Sequence, residues 1–391
     1  MKDRMPNLVP RSDLAFPLEE YADRLMAAAR AMAAAGFDAL VASSPENICY
    51  LSGFESAGYF NPQALVLSSD GGAALITRAL EIPNAEASCI LDRLIGFRDH
   101  ETLVDAVAAE IQARGAARGR IAAELRSHWL GVADFEAIKT ALPAAAFGDA
   151  FGIVERARLL KSERELVAIR NAARIAAEAM RAAFDAIGAG RRERDVAAEV
   201  YRAQITAGSD WTGAPFFIAS GPRSARAHTT WSDRVLRPGD AIFLETNAAH
   251  RRYHAAFMRS ACIGPATERY RSLYAASRAG LEAALAAIRP GVAASAVDRA
   301  CRAAIERAGQ GEAFRLRTGY SIGLGFENFG EGYLFSLHPN NHSPLEPGMA
   351  LHLVPYLSEA GAAGAAVSET VIVTAGGAEL VAPLERDLVE R

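Results

Sequence analysis

The stretch GDAIFLETNAAHRRYHAAFMRS, residues 239–260, contains two apolar runs separated by a short polar segment. Runs of this length, rich in aliphatic and aromatic residues, favour β-strands. We therefore predict a hairpin whose first strand ends near Glu245 and whose second strand begins near His254. A carboxylate at the end of an apolar strand is costly to bury without partners, so we expect chemistry where polar residues interrupt these strands.

Helices and further strands on both sides of the hairpin predict an α+β domain. Residues 161–190 begin with Ser162 and Glu165 at the spacing of a capping box and continue as a long apolar stripe, which is typical of a helix. Further helices are predicted at 192–207, 266–288 and 293–308. The runs FFIAS, RTGYSIGLGF, MALHLVPYL and SETVIVT are predicted as strands. Helices mixed with hairpin-like strands indicate the α+β class.

The first part of the chain follows a different pattern. Residues 17–36 predict a helix that starts at a proline and ends at Gly36, and the strand DALVA follows it. The runs ICYLSGF, ALVLSS, AALIT and GRIAAEL are predicted as further strands, with VDAVAAEIQARG as a second helix. This alternation indicates a small α/β domain. A length of 391 residues also suggests two domains, which we place at 1–155 and 156–391.

Composition narrows the classes of function. The formal net charge is -4, from 42 Lys+Arg against 46 Asp+Glu, so there is no broad positive field for nucleic acid or an anionic membrane surface. The four cysteines form no Cys-x-x-Cys pair, so neither a zinc cluster nor a disulfide framework is indicated. The N-terminal segment is polar and no apolar run reaches about 18 residues. We expect a soluble cytoplasmic protein that acts on a small molecule.

Six segments occur in order along the chain: LLKSERELVAIRNA, AHTTWSDRVLRPGD, the strand hairpin, RTGYSIG, LEPGM and SETVIVT. Together they resemble the pita-bread fold family of methionine aminopeptidase, prolidase, aminopeptidase P and creatinase. NICYLSGF and GYFNPQALVL resemble the N-terminal domain of the prolidase and creatinase branch. The resemblance covers nearly the whole chain and implies a small α/β N-terminal domain followed by a pita-bread catalytic domain. It also implies a homodimer in which the N-terminal domain of one subunit closes the pocket of the other.

In the metallopeptidases that the chain resembles, five residues hold two metal ions. Aligned motif by motif, those five positions fall here on Glu245, Ala256, Tyr320, Val354 and Ser368. Only Glu245 keeps a carboxylate, whereas a divalent ion needs several oxygen or imidazole donors. The resemblance therefore implies that the paired metals and the dinuclear peptidase reaction are lost, and we expect no cofactor. Ala256, Val354 and Ser368 are expected to be nearly inert.

Strand parity indicates what replaces the lost ligands, because side chains two residues apart share a face of a strand. His254 shares a face with Ala256, and His352 shares a face with Val354. Two imidazoles are thus predicted to point toward the volume that the lost ligands would occupy. Arg259 is predicted to lie on the face opposite His254.

The segments GYSIGLGF, GEGY and RRYH, with the histidine-containing strand after LEPGM, are most similar to the metal-free creatinase-like branch that includes ectoine hydrolase. Members of that branch cleave carbon–nitrogen bonds in small polar molecules without a metal. The resemblance implies a hydrolase of an amide or cyclic amidine in a small zwitterion. It also implies a set of roles: Glu245 as nucleophile or general base, His228 and His254 in proton transfer, and Tyr320 with His352 at the oxyanion.

Candidate substrate-binding residues lie in both predicted domains, and they are His352, Arg259, Trp231, Tyr59 and Glu331. Arg259 either binds a substrate carboxylate in bidentate fashion or pairs with a carboxylate of the protein. Trp231 follows His228 in the same predicted loop, and Glu331 lies in the GEGY segment.

Two other functions stay open at the level of sequence. Glu245, His254 and His352 form a two-histidine, one-carboxylate set that could bind one iron or zinc ion, as in a rearranged Xaa-Pro-type peptidase or another hydrolase. Alternatively, the chain is a catalytically inactive homologue that binds a small molecule, because loss of metal ligands is what such decay produces. Metal analysis with chelation tests the first alternative, and product formation from a panel of small substrates tests the second.

Overall fold

The chain divides between Arg158 and Leu159 into two units, and the computed structural model describes residues 7–391. The division lies close to the boundary predicted near residue 155. An α/β unit comes first and a unit of helices and antiparallel sheets follows it, in the predicted order. Within residues 7–391 no helix is both long and apolar enough to cross a bilayer.

The N-terminal unit is built on a six-stranded mixed sheet. The strands are β1 (Ala39–Ala42), β2 (Ala64–Ser68), β3 (Ala73–Arg78), β4 (Leu94–Phe97), β5 (Arg120–Ala123) and β6 (Ala146–Asp149). They lie in the order β4-β3-β2-β1-β5-β6, with β2 antiparallel to both of its neighbours. The helices are α1 (Leu18–Ala34), α2 (Pro45–Ser52), α3 (Ile82–Ser88), α4 (Leu103–Ala113) and α5 (Val132–Ala141). Val41, Val66 and Ile121 belong to the core of this unit.

The run ICYLSGF, predicted as a strand, is helical instead, and that prediction is wrong. Ser44 caps the helix, since its side chain accepts a hydrogen bond from the Asn47 backbone N–H, and Pro45 follows at the first helical position. Gly53 ends the helix in a left-handed conformation with a φ of 77°. Start and stop signals of this kind decide the conformation of a short apolar run whose composition suits either state.

The C-terminal unit contains four long helices and three sheets. After the short helix α6 (Glu155–Leu159), the helices are α7 (Glu163–Ala186), α8 (Glu193–Thr206), α9 (Glu268–Ala287) and α10 (Ala294–Arg307). The first sheet has the order β17-β9-β8-β7, from β7 (Phe217–Ser220), β8 (Ala241–His250), β9 (Tyr253–Cys262) and β17 (Val389–Glu390). The second has the order β11-β10-β12-β15-β16, from β10 (Gly319–Ser321), β11 (Ser336–Leu337), β12 (Ala350–Leu353), β15 (Glu369–Thr374) and β16 (Gly377–Leu380). Strands β13 (Tyr356–Glu359) and β14 (Ala363–Ala366) form a separate pair.

Each large sheet packs one face on helices and turns the other face inward. Leu244 and Phe257 of the β8–β9 hairpin pack on α7 and α8, while Leu351 and Val371 of the second sheet pack with α9 and α10. The opposite faces meet in an inner cluster that includes Phe243. Because side chains alternate along a strand, polar residues between the helix-facing positions must point inward. The inner face of the β8–β9 hairpin is therefore the expected location of a functional site.

The turn between β8 and β9 consists of Arg251 and Arg252, and both have positive φ values, 53° and 64°. Left-handed conformation is unfavourable for such side chains, so surrounding contacts must hold it. The Arg252 guanidinium lies 3.6 Å from the centre of the Trp211 ring, and its Nη2 donates to the Gly325 carbonyl at 2.8 Å. These contacts fix the end of the hairpin next to the segment 323–326.

Candidate active site

Glu245 lies on the inner face of β8, opposite Met258 of β9. Its side chain is buried, with 3% exposed. Its carboxyl group makes no hydrogen bond or ion pair with any residue in the range 7–391. Burial alone raises the pKa of Glu245 to about 8. No cation pairs with this carboxyl group among the residues that the structure describes, so a salt bridge does not explain its burial.

His254 lies on the same inner face, on β9 and diagonal to Asn247. It is fully buried, and neither ring nitrogen makes a hydrogen bond of good geometry within the described chain, although the backbone at Gly323 and Arg252 lies close enough to favour the charged form slightly. Burial, with a further effect from the Arg252 charge, lowers the pKa of His254 to about 3. The imidazole is thus neutral at neutral pH, with one N–H and one lone pair left unpaired in the protein interior.

Tyr320 and His352 belong to a hydrogen-bonded chain that crosses the second sheet. The Tyr320 hydroxyl lies 3.1 Å from His352 Nδ1, and His352 Nε2 lies 2.8 Å from Ser368 Oγ. Ser368 Oγ also accepts a hydrogen bond of 2.6 Å from the Met258 backbone N–H, which connects this series of hydrogen bonds to β9. Burial, with a smaller effect from Arg259, lowers the pKa of His352 to about 3.

The Tyr320 hydroxyl lies close enough to Glu245 for the charge of that carboxylate to affect its pKa. Burial raises the pKa of Tyr320, and the Glu245 charge raises it further. The Arg317 guanidinium lies 4.5 Å from the centre of the Tyr320 ring and opposes that rise. The hydroxyl therefore stays protonated at neutral pH and can donate a hydrogen bond to a negative oxygen beside Glu245.

Ser368 corrects one expectation from the sequence, since it is not inert. Its hydroxyl orients His352, and its backbone N–H donates to the Met258 carbonyl at 3.1 Å. Sequence alignment marks this position as a lost metal ligand, whereas the contact with His352 depends on the pairing of β12 with β15. A further residue that the sequence reasoning missed is Asn247, whose inward direction follows from its parity with Glu245.

Arg259 lies on the opposite face of β9 and is fully buried. Its Nη2 pairs with Glu369 Oε1 at 2.8 Å, and its other nitrogens donate to backbone carbonyls, including that of Ser368 at 2.6 Å. Burial lowers the pKa of Arg259, and Glu369 opposes this shift. Of the two roles expected for Arg259, the geometry matches pairing with a carboxylate of the protein.

Glu331 is buried in an ion pair with Lys161, at 2.8 Å between Oε2 and Nζ. Both side chains are almost fully buried, with 1% of Lys161 and 3% of Glu331 exposed. The structure thus places Glu331 against a lysine near the start of α7. Its role in substrate binding stays a prediction.

His228 and Trp231 lie in the loop after β7 and do not join the buried group. His228 is exposed and has a positive φ of 57°, and its ring centre lies 5.3 Å from that of Phe217, the cross-strand neighbour of Glu245. Trp231 is half-buried and packs edge-on to Tyr201 of α8 at 5.5 Å.

Tyr59 belongs to the N-terminal unit. Its ring packs edge-on to Trp129 at 5.6 Å and to Phe60 at 6.1 Å. Its place in a substrate pocket stays a prediction.

The residues at the five ligand positions do not fit a pair of metal ions. Ala256 and Val354 offer no donor atom, and Ser368 Oγ is already bonded to His352 and to a backbone N–H. Over residues 7–391, no three His, Cys, Asp or Glu side chains come close enough together to hold a metal ion. The set of Glu245, His254 and His352 is therefore not assembled as a metal site.

Comparison with known proteins identifies the family of this chain. Residues 167–375 match the model of metallopeptidase family M24, and residues 24–160 match the creatinase/prolidase N-terminal domain. The chain belongs to metallopeptidase family M24 and carries a creatinase-type N-terminal domain. The predicted family and fold are confirmed.

Three relatives illustrate the range of the family. An uncharacterized hydrolase/peptidase of Sinorhizobium fredii is 33% identical over 389 residues, 95% of this chain and 97% of the relative. The ectoine hydrolase of Halomonas elongata is 28% identical over 396 residues, 96% of this chain and 98% of that enzyme. The crystal structure of dipeptidase PepE from Mycobacterium ulcerans has a TM-score of 0.84 and 27% identity, and the match covers 96% of this chain and 99% of that one.

Proposed function

We propose that this protein is a metal-independent hydrolase of a non-peptide carbon–nitrogen bond, an amide or cyclic amidine, in a small zwitterionic compound. The observation that carries the proposal is the Glu245 carboxyl group, which is buried and has no partner among residues 7–391, with its pKa raised to about 8. A buried carboxyl group of this kind lacks the structural partner that would explain its presence. Similarity to the ectoine hydrolase of Halomonas elongata supports the substrate class.

Glu245 acts as the general base in this proposal. A base is most effective when its pKa lies near the working pH, and a value of about 8 meets that condition. One carboxylate oxygen takes a proton from water while the water oxygen bonds to the substrate carbon, and the π-electron pair moves to the oxygen or nitrogen double-bonded to that carbon. Direct attack by the carboxylate is the variant of this step that forms a covalent intermediate.

When the substrate is an amide, Tyr320 stabilises the negative charge that develops on the carbonyl oxygen in the intermediate. Its hydroxyl is protonated, lies within electrostatic reach of Glu245 and is held at 3.1 Å from His352 Nδ1. His352 is held in turn by Ser368, so the donor is oriented before substrate arrives. The proposal thus uses Tyr320 as the donor and the other two residues as its support.

Proton delivery to the leaving nitrogen is assigned to His228. This residue is exposed, so its imidazole exchanges protons with solvent, and its ring lies beside Phe217, the cross-strand neighbour of Glu245. When the carbon–nitrogen bond breaks, its electron pair goes to the nitrogen, which takes the proton from His228. His254 was also expected to transfer protons, but its lowered pKa of about 3 makes it a poor proton carrier. It serves instead as a neutral hydrogen-bonding group.

A dipeptidase is the second candidate, because dipeptidase PepE shares 27% identity with this chain over most of both lengths. Two observations weigh against it: the five ligand positions do not fit two metal ions, and within residues 7–391 no three His, Cys, Asp or Glu side chains come close enough together to hold one. A catalytically inactive homologue is a weaker candidate, because Glu245 and Tyr320 retain reactive groups.

One experiment separates these functions. Purified protein is supplied with ectoine, small betaines, small amides and Xaa-Pro dipeptides, before and after dialysis against a chelator, and products are measured by mass spectrometry. We expect turnover of a non-peptide substrate that survives chelation and falls about 100-fold or more in Glu245→Gln. The matched control is Thr246→Val, which removes a buried hydroxyl from the opposite face of β8.

Three results would contradict the proposal. Full turnover in Glu245→Gln would exclude the assigned base. A stoichiometric ion lost together with Xaa-Pro hydrolysis would favour the peptidase. Binding without product across the whole panel would favour the inactive homologue. The expected homodimer is a separate proposal, and sedimentation velocity tests it.

A further inference from the structure

Asn247 lies two residues after Glu245, on the same inner face of β8 and opposite Ala256. It is fully buried, and its Oδ1 atom has no hydrogen-bond partner among residues 7–391. Its Nδ2 donates to the Ala214 carbonyl at 3.3 Å, which identifies Oδ1 as the free atom. Buried polar atoms are almost always hydrogen-bonded, so an unpaired carbonyl here requires an explanation.

The neighbourhood of Asn247 offers several acceptors, and among residues 7–391 no cation pairs with them. Glu245 offers carboxyl oxygens without an ion pair in the described chain, and neutral His254 offers one ring nitrogen as an acceptor. The nearby arginines are engaged elsewhere: Arg252 stacks on Trp211 at 3.6 Å, and Arg259 pairs with Glu369 at 2.8 Å on the other face of β9. A ligand that complements this face brings N–H donors and positive charge.

The arrangement of the acceptors limits the shape of that ligand. Residues i and i+2 of a strand point their side chains the same way, so Glu245 and Asn247 are neighbours on one face. An amidinium group carries two nitrogens on one planar carbon, and each nitrogen can donate an N–H to one of two neighbouring acceptors. A neutral amide fits less well, because it brings no positive charge to compensate the buried Glu245 carboxylate when that group ionises.

We propose that Asn247 is a specificity-determining residue that selects an amidinium group over a neutral amide. Its Oδ1 accepts an N–H from one amidinium nitrogen, and the second nitrogen faces Glu245. The inference rests on the proposed function in one respect, since it places the amidine carbon next to the proposed base. The positive charge of the bound amidinium also favours ionisation of Glu245.

The test uses acetamidinium chloride as the probe and acetamide as its neutral counterpart. Dissociation constants are measured at pH 8 by isothermal titration calorimetry on the full chain. We expect the wild type to bind acetamidinium more tightly than acetamide, and Asn247→Ala to weaken acetamidinium binding about tenfold or more. Asn247→Asp keeps the size of the side chain and an acceptor oxygen, so it should bind acetamidinium at least as tightly as the wild type.

Thr246→Val is the matched control, because Thr246 is buried next to Asn247 but its hydroxyl donates to Ala176 of α7 at 3.1 Å. It should leave the acetamidinium dissociation constant unchanged. Absence of acetamidinium binding to the wild type, unchanged affinity in Asn247→Ala, or weakened affinity in a folded Asn247→Asp would each overturn the inference. Failure of the proposed function is seen separately, as unchanged turnover in Glu245→Gln.

Discussion

We expect Glu245→Gln to become more stable than the wild type as the pH rises, although the variant loses activity. The folded protein holds a proton on Glu245 up to a pH of about 8, whereas the unfolded chain releases it near the ordinary carboxyl pKa of 4.5. Between these two values the unfolded state binds fewer protons, so stability is lost as the pH rises. Glutamine has the same shape and stays neutral, and it therefore does not incur this loss.

The size of the effect follows from the two pKa values. Each pH unit above the unfolded pKa costs about 1.4 kcal/mol until the folded pKa is reached. The penalty is then under about 1 kcal/mol at pH 5 and about 3 kcal/mol at pH 7. The free energy of unfolding of Glu245→Gln, relative to the wild type, should rise by about 2–3 kcal/mol over that interval. Other titrating groups contribute equally to both proteins and cancel in the difference.

Urea unfolding of both proteins at pH 5, 6 and 7, followed by circular dichroism and tryptophan fluorescence, measures this difference. Thr246→Val is the control, and its effect on stability should not depend on pH because it removes no titrating group. Activity gives an independent check: if Glu245 is the base, kcat/KM of the wild type should rise with pH, reach half of its maximum near pH 8 and level off above that pH. A difference in unfolding free energy that stays constant from pH 5 to pH 7 would refute the raised pKa.

Three further substitutions test the surroundings of Glu245. Ser368→Ala should lower kcat about tenfold with little change in KM, because the Tyr320–His352 donor loses its support at Nε2; an unchanged kcat measured by steady-state kinetics would contradict the proposed support. Gly330→Ala should also lower kcat, since the added methyl group would lie 2.6 Å from Tyr320 Cε2, and wild-type kinetics in that variant would show that the ring position is unimportant. Arg259→Met should reduce the free energy of unfolding by about 2–4 kcal/mol, because it removes one of the two arginines that pair with the buried Glu369 carboxylate and leaves buried backbone carbonyls without a donor; a loss below about 1 kcal/mol in urea unfolding would contradict this role.

Local sequence signals predicted the elements that carry the site. The capping box of Ser162 and Glu165 is present at the start of α7, and strong periodicity fixed that helix without tertiary information. Two apolar runs predicted the hairpin of β8 and β9, but the predicted end of the first strand near Glu245 is wrong, since β8 continues to His250 and only Arg251 and Arg252 form the turn. By contrast, ICYLSGF is apolar enough for either state, and its helix depends on Ser44 and Gly53 at its two ends.

Parity along single strands also predicted which side chains point inward. His254 and Arg259 lie on opposite faces of β9, with Arg259 paired to Glu369 on its own side. Contacts between strands that are distant in sequence could not be predicted from parity, because parity describes one strand at a time. The bond between His352 and Ser368 requires the register of β12 on β15, and the ion pair of Lys161 with Glu331 joins residues 170 positions apart.

Two buried carboxyl groups of this unit, Glu369 and Glu245, differ in whether the protein compensates their charge. Glu369 and Glu245 are both almost fully buried, with 1% and 3% exposed. Glu369 receives hydrogen bonds from Arg259 and Arg386, so the protein itself compensates its charge. Glu245 has no such cation in the described chain and keeps a proton instead. A buried carboxyl group without a cation lowers stability, so we expect such a group to be retained where a ligand supplies the positive charge. Glu245 meets this condition and Glu369 does not, which favours amidinium binding beside Glu245.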